Sequence, residues 1–372
     1  MSQTTLQTNP VVPVFDGHND VLLRLATSGF ADPVAAFLDG SQRDGRPRGQ
    51  LDLPRARAGG LVGGLYAIFV PSRGSPLGTA ALVDPPDAPP ASEVDRAGAL
   101  ATTLDMAALL MRIEAASAGA FTIATDATAL RAAISEGRHA AVLHIEGAEA
   151  IDPDLTALDV LYSAGLRSLG PVWSRSNIFA HGVPFRFNSS PDTGPGLTDA
   201  GRRLVKRCNA LGIVVDLSHL NEQGFWDIAK MTEAPLCASH SNAHALSPHA
   251  RNLTDRQLAA IRDSGGLVGV NYAVSFLRPD GQRSKDTTLD LIVDHMVYLL
   301  ERLGEDGVAL GSDFDGATIP ADLGSVAGLP RLVERMRARQ LGESVIRKVC
   351  ADNWIGLLSR TWKSAATTRL PA

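Results

Sequence analysis

Short apolar runs alternate with longer amphipathic segments along most of the chain, and the two patterns predict an alternation of strands and helices. The strand candidates are VVPVF (11–15), LYAIFV (65–70), AAVLHI (140–145), LRSLGPV (166–172), GIVVDLS (212–218), APLCAS (234–239), GLVGVNY (266–272) and GVALGS (307–312). Most are nearly unbroken apolar stretches, as expected for strands covered on both faces of a parallel sheet. FTIATD (121–126) is a ninth, shorter run that suits either a helix lead-in or an extra strand. Between the runs lie helix signals. Asp126 precedes ATALRAAISEGR, Thr254 precedes DRQLAAIRDSGG, and DLIVDHMVYLLERLG stops at Gly304.

This alternation predicts an α/β fold, a single (β/α)8 TIM barrel over residues 1–372. A doubly wound sheet is the runner-up, but no GxGxxG fingerprint follows the first strand. Two irregular stretches, near 71–95 and 174–197, predict long loop insertions, the second at the C-terminal face of the barrel.

Composition narrows the picture. A chain of 372 residues with 45% hydrophobic content has ample material for one large core. A net charge of −5 and a pI near 6.0 leave no basic footprint for nucleic acid. The run LVGGLYAIFV is too short and glycine-rich to cross a bilayer. MSQTTLQTNP has no basic region followed by an apolar stretch, so a soluble cytoplasmic protein is expected. Cys208, Cys237 and Cys350 are odd in number and far apart, which argues against disulfides and against a cysteine zinc cluster. Any metal must be held by histidine and carboxylate.

The strand ends carry such residues. VVPVF runs into DGHND, AAVLHI into Glu146, GIVVDLS into His219, APLCAS into His240 and GVALGS into Asp313. A lone strand-end histidine is more often packed or solvated than a ligand, and His139, His244, His249 and His295 read that way, on helices or loops. Glu146 alone could be a helix-capping carboxylate. Five coincidences at the carboxyl ends of separate strands, where barrel active sites sit, favour a metal centre. The set suits two divalent ions: His18 and Asp20 on one, His219 and His240 on the other, and Glu146 bridging them. Imidazole and carboxylate donors suit zinc, although cobalt or manganese could accept them.

DGHND, HIEGAEA, DLSH, ASHSNAHALSPHARNLTD and GSDFDG, in this order from residue 16 to 316, resemble the membrane (renal) dipeptidase family, peptidase family M19 of the amidohydrolase-like metal-dependent hydrolases. The resemblance implies a binuclear zinc dipeptidase with a metal-bridging hydroxide and tolerance of a D-residue at the second position. It implies His18 and Asp20 on the first zinc, Glu146 as the bridge, and His219 and His240 on the second. Arg251 would grip the substrate's terminal carboxylate, and Asp313 would act as acid and base, with Asp315 a weaker claimant. A homodimer is what the family suggests. One departure stands out: Trp173 occupies the position where the family has an oxyanion-stabilising histidine. His181, on the same loop, is the candidate replacement; Trp173 could equally form an apolar wall of the pocket. Two alternatives remain: an N-acyl amino acid amidase or lactonase using the same centre, and a non-catalytic metal-binding homologue.

Overall fold

The computed structural model describes residues 11–43, 46–72 and 93–363, so most of the 71–95 stretch and both chain ends lie outside the described residues. Eight strands build the barrel: β1 (Val14–Asn19), β2 (Leu61–Phe69), β3 (His139–Glu146), β4 (Leu166–Gly170), β5 (Val214–Val215), β6 (Cys237–Ala238), β7 (Leu267–Val270) and β8 (Val308–Leu310). They pair in parallel in the order β5-β4-β3-β2-β1-β8-β7-β6. Asp216 forms an isolated parallel bridge to Cys237, and the Leu217 N–H donates to the Cys237 carbonyl at 2.8 Å, so the ring is nearly closed between β5 and β6. The architecture is the predicted (β/α)8 barrel. The Phe121–Ile123 run is an extra strand, paired with β3 off the barrel path.

Three details differ from the sequence expectation. The first strand does not end at Phe15: Asp16, Gly17, His18 and Asn19 belong to β1 and are all buried. His139 is not on a helix or loop but opens β3. The strands β5 and β6 hold only two residues each, because side chains replace the ladder there: the Asp216 Oδ1 accepts the N–H groups of Ser218 at 3.0 Å and Ser239 at 2.8 Å.

The expected helix signals act locally as capping chemistry predicts. Asp126 accepts the Ala129 N–H at the start of helix Ala127–Ser135. Thr254 and Gln257 form a capping box on helix Asp255–Asp263. Helix Leu289–Leu303 stops at Gly304, whose φ of 77° suits glycine.

Inside the barrel, Phe15, Leu65, Val142, Val214, Leu267 and Ala309 pack with Trp354 and Leu358 of helix Asn353–Thr361. The Trp354 indole donates to the Leu310 carbonyl at 2.8 Å. A Cβ on Gly17 would overlap Trp354 and the Ser239 and Leu310 carbonyls, so close packing demands glycine at this position. The 174–197 stretch is irregular, as expected, and it is pinned by bridges from Gly182 to Leu220 and from Phe187 to His249.

His139 and His295 are buried and hydrogen-bonded: Nε2 of His139 meets Tyr66 Oη at 2.7 Å, and Nε2 of His295 meets the Leu277 carbonyl at 3.0 Å. Burial pulls each from the usual 6.5 to about 4. The unfolded chain therefore takes up these protons as pH falls through 6.5, while the folded chain resists until about 4. Stability is lost across that window, by about 2 kcal/mol per histidine at pH 5. Denaturant unfolding at pH 7 and pH 5 should show that His295→Gln removes about 2 kcal/mol of acid-induced destabilisation relative to wild type; an unchanged pH dependence in that variant would refute the assignment.

Candidate metal centre

Five side chains meet at the carboxyl ends of the strands. Glu146 Oε1, at the end of β3, lies 3.0 Å from His219 Nε2, 3.4 Å from His240 Nε2 and 3.7 Å from His18 Nε2. His219 and His240 bring their Nε2 atoms within 3.0 Å of each other. His18 Nε2 is 3.4 Å from Asp20 Oδ2, and the His18 and His240 rings stack at 3.8 Å. All five residues are buried. Among the described residues the ring nitrogens of His18 have no hydrogen-bond partner, an arrangement that is costly unless a ligand fills the gap. The donor set is one that divalent cations accept.

The electrostatics also favour a cation. Burial pushes the Glu146 carboxyl well above its ordinary range, against the pull of His18. Burial opposes charge on His18, yet Glu146, Asp20 and Asp313 together raise it to about 10. His219 and His240 go the other way: burial, with Arg251 and His18 nearby, drives both well below 6.5. They are therefore neutral imidazoles, the form that binds metal.

Asp313 and Arg251 lie beside the same cluster. Asp313 belongs with His18 and Asp20 to a group whose ligand atoms lie within 4.8 Å of one another. Its N–H donates to the His18 carbonyl at 3.0 Å, and its Oδ2 accepts from Asn271 Nδ2 at 2.9 Å. Burial raises its pKa, with Asp20 adding to the effect. Arg251 donates from Nη2 to the His240 carbonyl at 3.0 Å and lies 5.4 Å from the Phe276 ring, while its Nε has no partner. Burial lowers it to about 10, opposed by Asp313 and Glu146.

The remaining candidates separate. Asp315 is tied to Arg24 Nε at 2.8 Å and to the Gln50 N–H at 2.6 Å, which makes it a structural ion pair. Asp16 accepts from the Ser312 N–H and hydroxyl, both at 2.7 Å, and so fastens β1 to the end of β8. The Trp173 ring lies 5.0 Å from Phe69, 5.3 Å from Phe185 and 5.9 Å from the His219 ring. His181 sets Nδ1 3.1 Å from Ser176 Oγ. Sequence reasoning missed Asn271, Ser174, Ser239, Asp216 and His144. Of these, His144, Asp216 and Asn271 carried a signal, as polar residues inside the apolar runs AAVLHI, GIVVDLS and GLVGVNY.

A parallel barrel with buried imidazoles and carboxylates at its strand ends belongs to the class of barrel proteins with a metal-binding site at the face where barrel active sites lie. Comparison with known proteins is specific. The membrane dipeptidase (peptidase family M19) profile matches residues 4–371. Two solved structures share 50% identity and a TM-score of 0.89, covering 95% of this chain and 100% of their own. One is a dipeptidase described as a metallo peptidase of family M19; the other is a metallo peptidase from Rhodobacter sphaeroides liganded with a phosphinate mimic of the dipeptide L-Ala-D-Ala. An uncharacterized protein from the pqqA 5' region of Klebsiella pneumoniae is 50% identical over 256 residues, 69% of this chain and 94% of its own length. The chain belongs to the membrane dipeptidase family and is a metallo dipeptidase, a hydrolase of peptide bonds.

The two acidic groups should separate under mutation. Glu146→Gln is expected to abolish metal uptake in elemental analysis while leaving the melting temperature of the metal-free protein unchanged. Asp315→Asn should retain metal but lose about 3 kcal/mol of stability, because it leaves the half-buried Arg24 without its anion.

Proposed function

We propose that this enzyme is a two-metal dipeptidase, most naturally a zinc enzyme, that cleaves dipeptides with a free terminal carboxylate, including L-Xaa-D-Xaa pairs. The observation that carries the proposal is Glu146 Oε1 standing as the common vertex of three imidazole nitrogens. His18 and Asp20 would hold one ion, His219 and His240 the other, and Glu146 would bridge. Such a pair would supply a hydroxide nucleophile near neutral pH and would polarise the scissile carbonyl.

The protein groups supply the rest. Asn271 holds Oδ2 of Asp313, which leaves the other carboxylate oxygen to take a proton and pass it to the leaving amine. Arg251 offers the bidentate geometry that a substrate carboxylate fits, at a fixed distance from the metal ligands, so longer peptides are rejected. Trp173, with Phe69 and Phe185, forms an apolar wall for a substrate side chain. With Nδ1 of His181 facing Ser176, its Nε2 is left to serve as the oxyanion donor in place of the family histidine. The L-Ala-D-Ala mimic bound by the Rhodobacter sphaeroides enzyme supports the stereochemical part of the proposal.

A dipeptide library that includes L-Xaa-D-Xaa pairs should be hydrolysed, and a chelator should stop the reaction. Turnover of N-acyl amino acids in preference to dipeptides would replace the reading with an amidase. Arg251→Lys should raise KM for a dipeptide about ten- to hundredfold, the worth of a charged hydrogen bond. A dipeptide amide, which lacks the carboxylate, should show no such difference. His181→Ala should lower kcat about hundredfold with little change in KM. Unchanged turnover would remove His181 from the mechanism.

A further inference from the structure

His240 approaches the metal centre with Nε2, so its other nitrogen, Nδ1, must carry the ring proton for Nε2 to bind a cation. Nδ1 lies 2.7 Å from Ser239 Oγ, and Ser239 Oγ lies 2.5 Å from Asp216 Oδ2. The direction of this chain is fixed by counting hydrogens. A carboxylate can only accept, so the single hydroxyl hydrogen of Ser239 goes to Asp216, and Ser239 Oγ is left to accept from His240 Nδ1–H. The alternative partner for that hydrogen, Ser218 Oγ, is 3.4 Å away and already accepts the His240 N–H at 3.1 Å. Asp216 is itself immobilised: Oδ1 accepts the Ser218 and Ser239 N–H groups at 3.0 and 2.8 Å. Asp216 and Ser239 are fully or almost fully buried, at 1% and 0% exposure, so water does not compete for these bonds.

Asp216 also faces the other side of the centre. Its Oδ2 lies 3.7 Å from His144 Nε2, which has no hydrogen-bond partner, and His144 Nδ1 is held by Ser168 Oγ at 2.9 Å. His18, His144 and Asp216 present ligand atoms within 4.8 Å of one another. One buried carboxylate thus underlies both His240 and His18.

We propose that Asp216, acting through Ser239, is a positioning residue that sets the tautomer of His240 and so keeps its Nε2 lone pair turned to the metal. This rests on the two-metal reading above but goes beyond it, because it assigns a role to residues that touch neither metal nor substrate. It also makes a counterintuitive prediction. In Asp216→Asn, the two backbone N–H groups keep the amide oxygen at the Oδ1 position, so the amide NH2 replaces Oδ2. The NH2 now donates to Ser239 Oγ, and the hydroxyl hydrogen turns to His240 Nδ1. The ring must then carry its proton on Nε2, where the cation would bind. A nearly isosteric change therefore reverses the relay, whereas Ser239→Ala only cuts it.

The experiment is zinc titration of the full chain against a competing chelator, with circular dichroism and thermal melting to establish folding. In Asp216→Asn one of the two zinc sites should weaken about hundredfold, and in Ser239→Ala about tenfold, the two ends of the range for lost outer partners of a ligand. The double variant should recover to the level of Ser239→Ala, since without the hydroxyl there is no reversed donor. Equal zinc affinity in Asp216→Asn and wild type, or a double variant no better than Asp216→Asn, overturns the proposal. If Asp216→Asn does not fold, Ser239→Ala decides: wild-type affinity overturns the relay, and a tenfold loss at one site supports it. A wild-type protein that takes up no zinc overturns the metal centre itself, and the relay with it.

Discussion

A carboxylate taken out of water must be met by positive charge or by protons, and Glu146 is buried inside a barrel whose neighbouring strand ends are built around that requirement. His18 answers it in part, drawn up to about 10 by Glu146, Asp20 and Asp313. His219 and His240 do not answer it: both are neutral, and their Nε2 atoms lie 3.0 and 3.4 Å from the same oxygen, placed to bind a cation rather than to supply charge. Three imidazoles and several carboxylates therefore share one buried volume with more anion than the protein's own protons comfortably satisfy. A divalent cation relieves that imbalance, which is why the site reads as a metal centre rather than as a structural ion-pair network.

Holding these groups in place strains the backbone. His219, Asp313 and Asp315 all have positive φ, 67°, 60° and 66°, in a region that non-glycine residues seldom visit. Each such residue costs on the order of 1–3 kcal/mol and persists only where its surroundings fix it. Those surroundings are visible. The Asp313 N–H is bound to the His18 carbonyl, Asp315 is clamped by Arg24 and Gln50, and the His219 carbonyl accepts the Val183 N–H at 2.8 Å. Asp315 thus supports the bend that aims Asp313 two residues earlier, so the second aspartate of GSDFDG contributes without facing the metal.

Much of this was legible in the sequence, because a parallel barrel leaves two strong signals: buried strands as continuous apolar runs, and function at their carboxyl ends. That rule alone points to His18, Asp20, Glu146, His219, His240 and Asp313, which the fold brings together at one end of the barrel. Boundaries were harder. DGHN falls beyond the expected strand end at Phe15, yet its polar groups are buried within β1, where Asp16 and Asn19 bond to neighbouring strands rather than to water. β5 and β6 shrank to two residues because Asp216 takes over their hydrogen bonding, a substitution with no periodic signature. Ser174 and Ser239 were invisible for a related reason. A serine matters here only through which ring nitrogen lies beside it, and that is a property of the folded geometry.

The end of the fourth strand shows how Trp173 and its neighbours are held. After it, three consecutive residues take separate tasks: Trp173 packs between Phe69 and Phe185, Ser174 Oγ meets His219 Nδ1 at 2.7 Å, and Arg175 is buried against Glu149. A cation therefore still lies beside this strand end, with the Arg175 guanidinium 5.6 Å from the Trp173 ring. It is not free to serve an oxyanion. Its Nε and Nη2 meet Glu149 Oε1 at 3.1 and 3.0 Å, Nη1 donates to Ser72 at 2.8 Å, and Nη2 also reaches the Val70 carbonyl at 2.9 Å. Withdrawing it would strand Glu149 in the interior without a counter-charge, a loss of several kcal/mol. The positive charge near Trp173 is thus committed to structure, so under the proposed mechanism the oxyanion would rely on the metal centre and on a donor from the loop beyond Arg175.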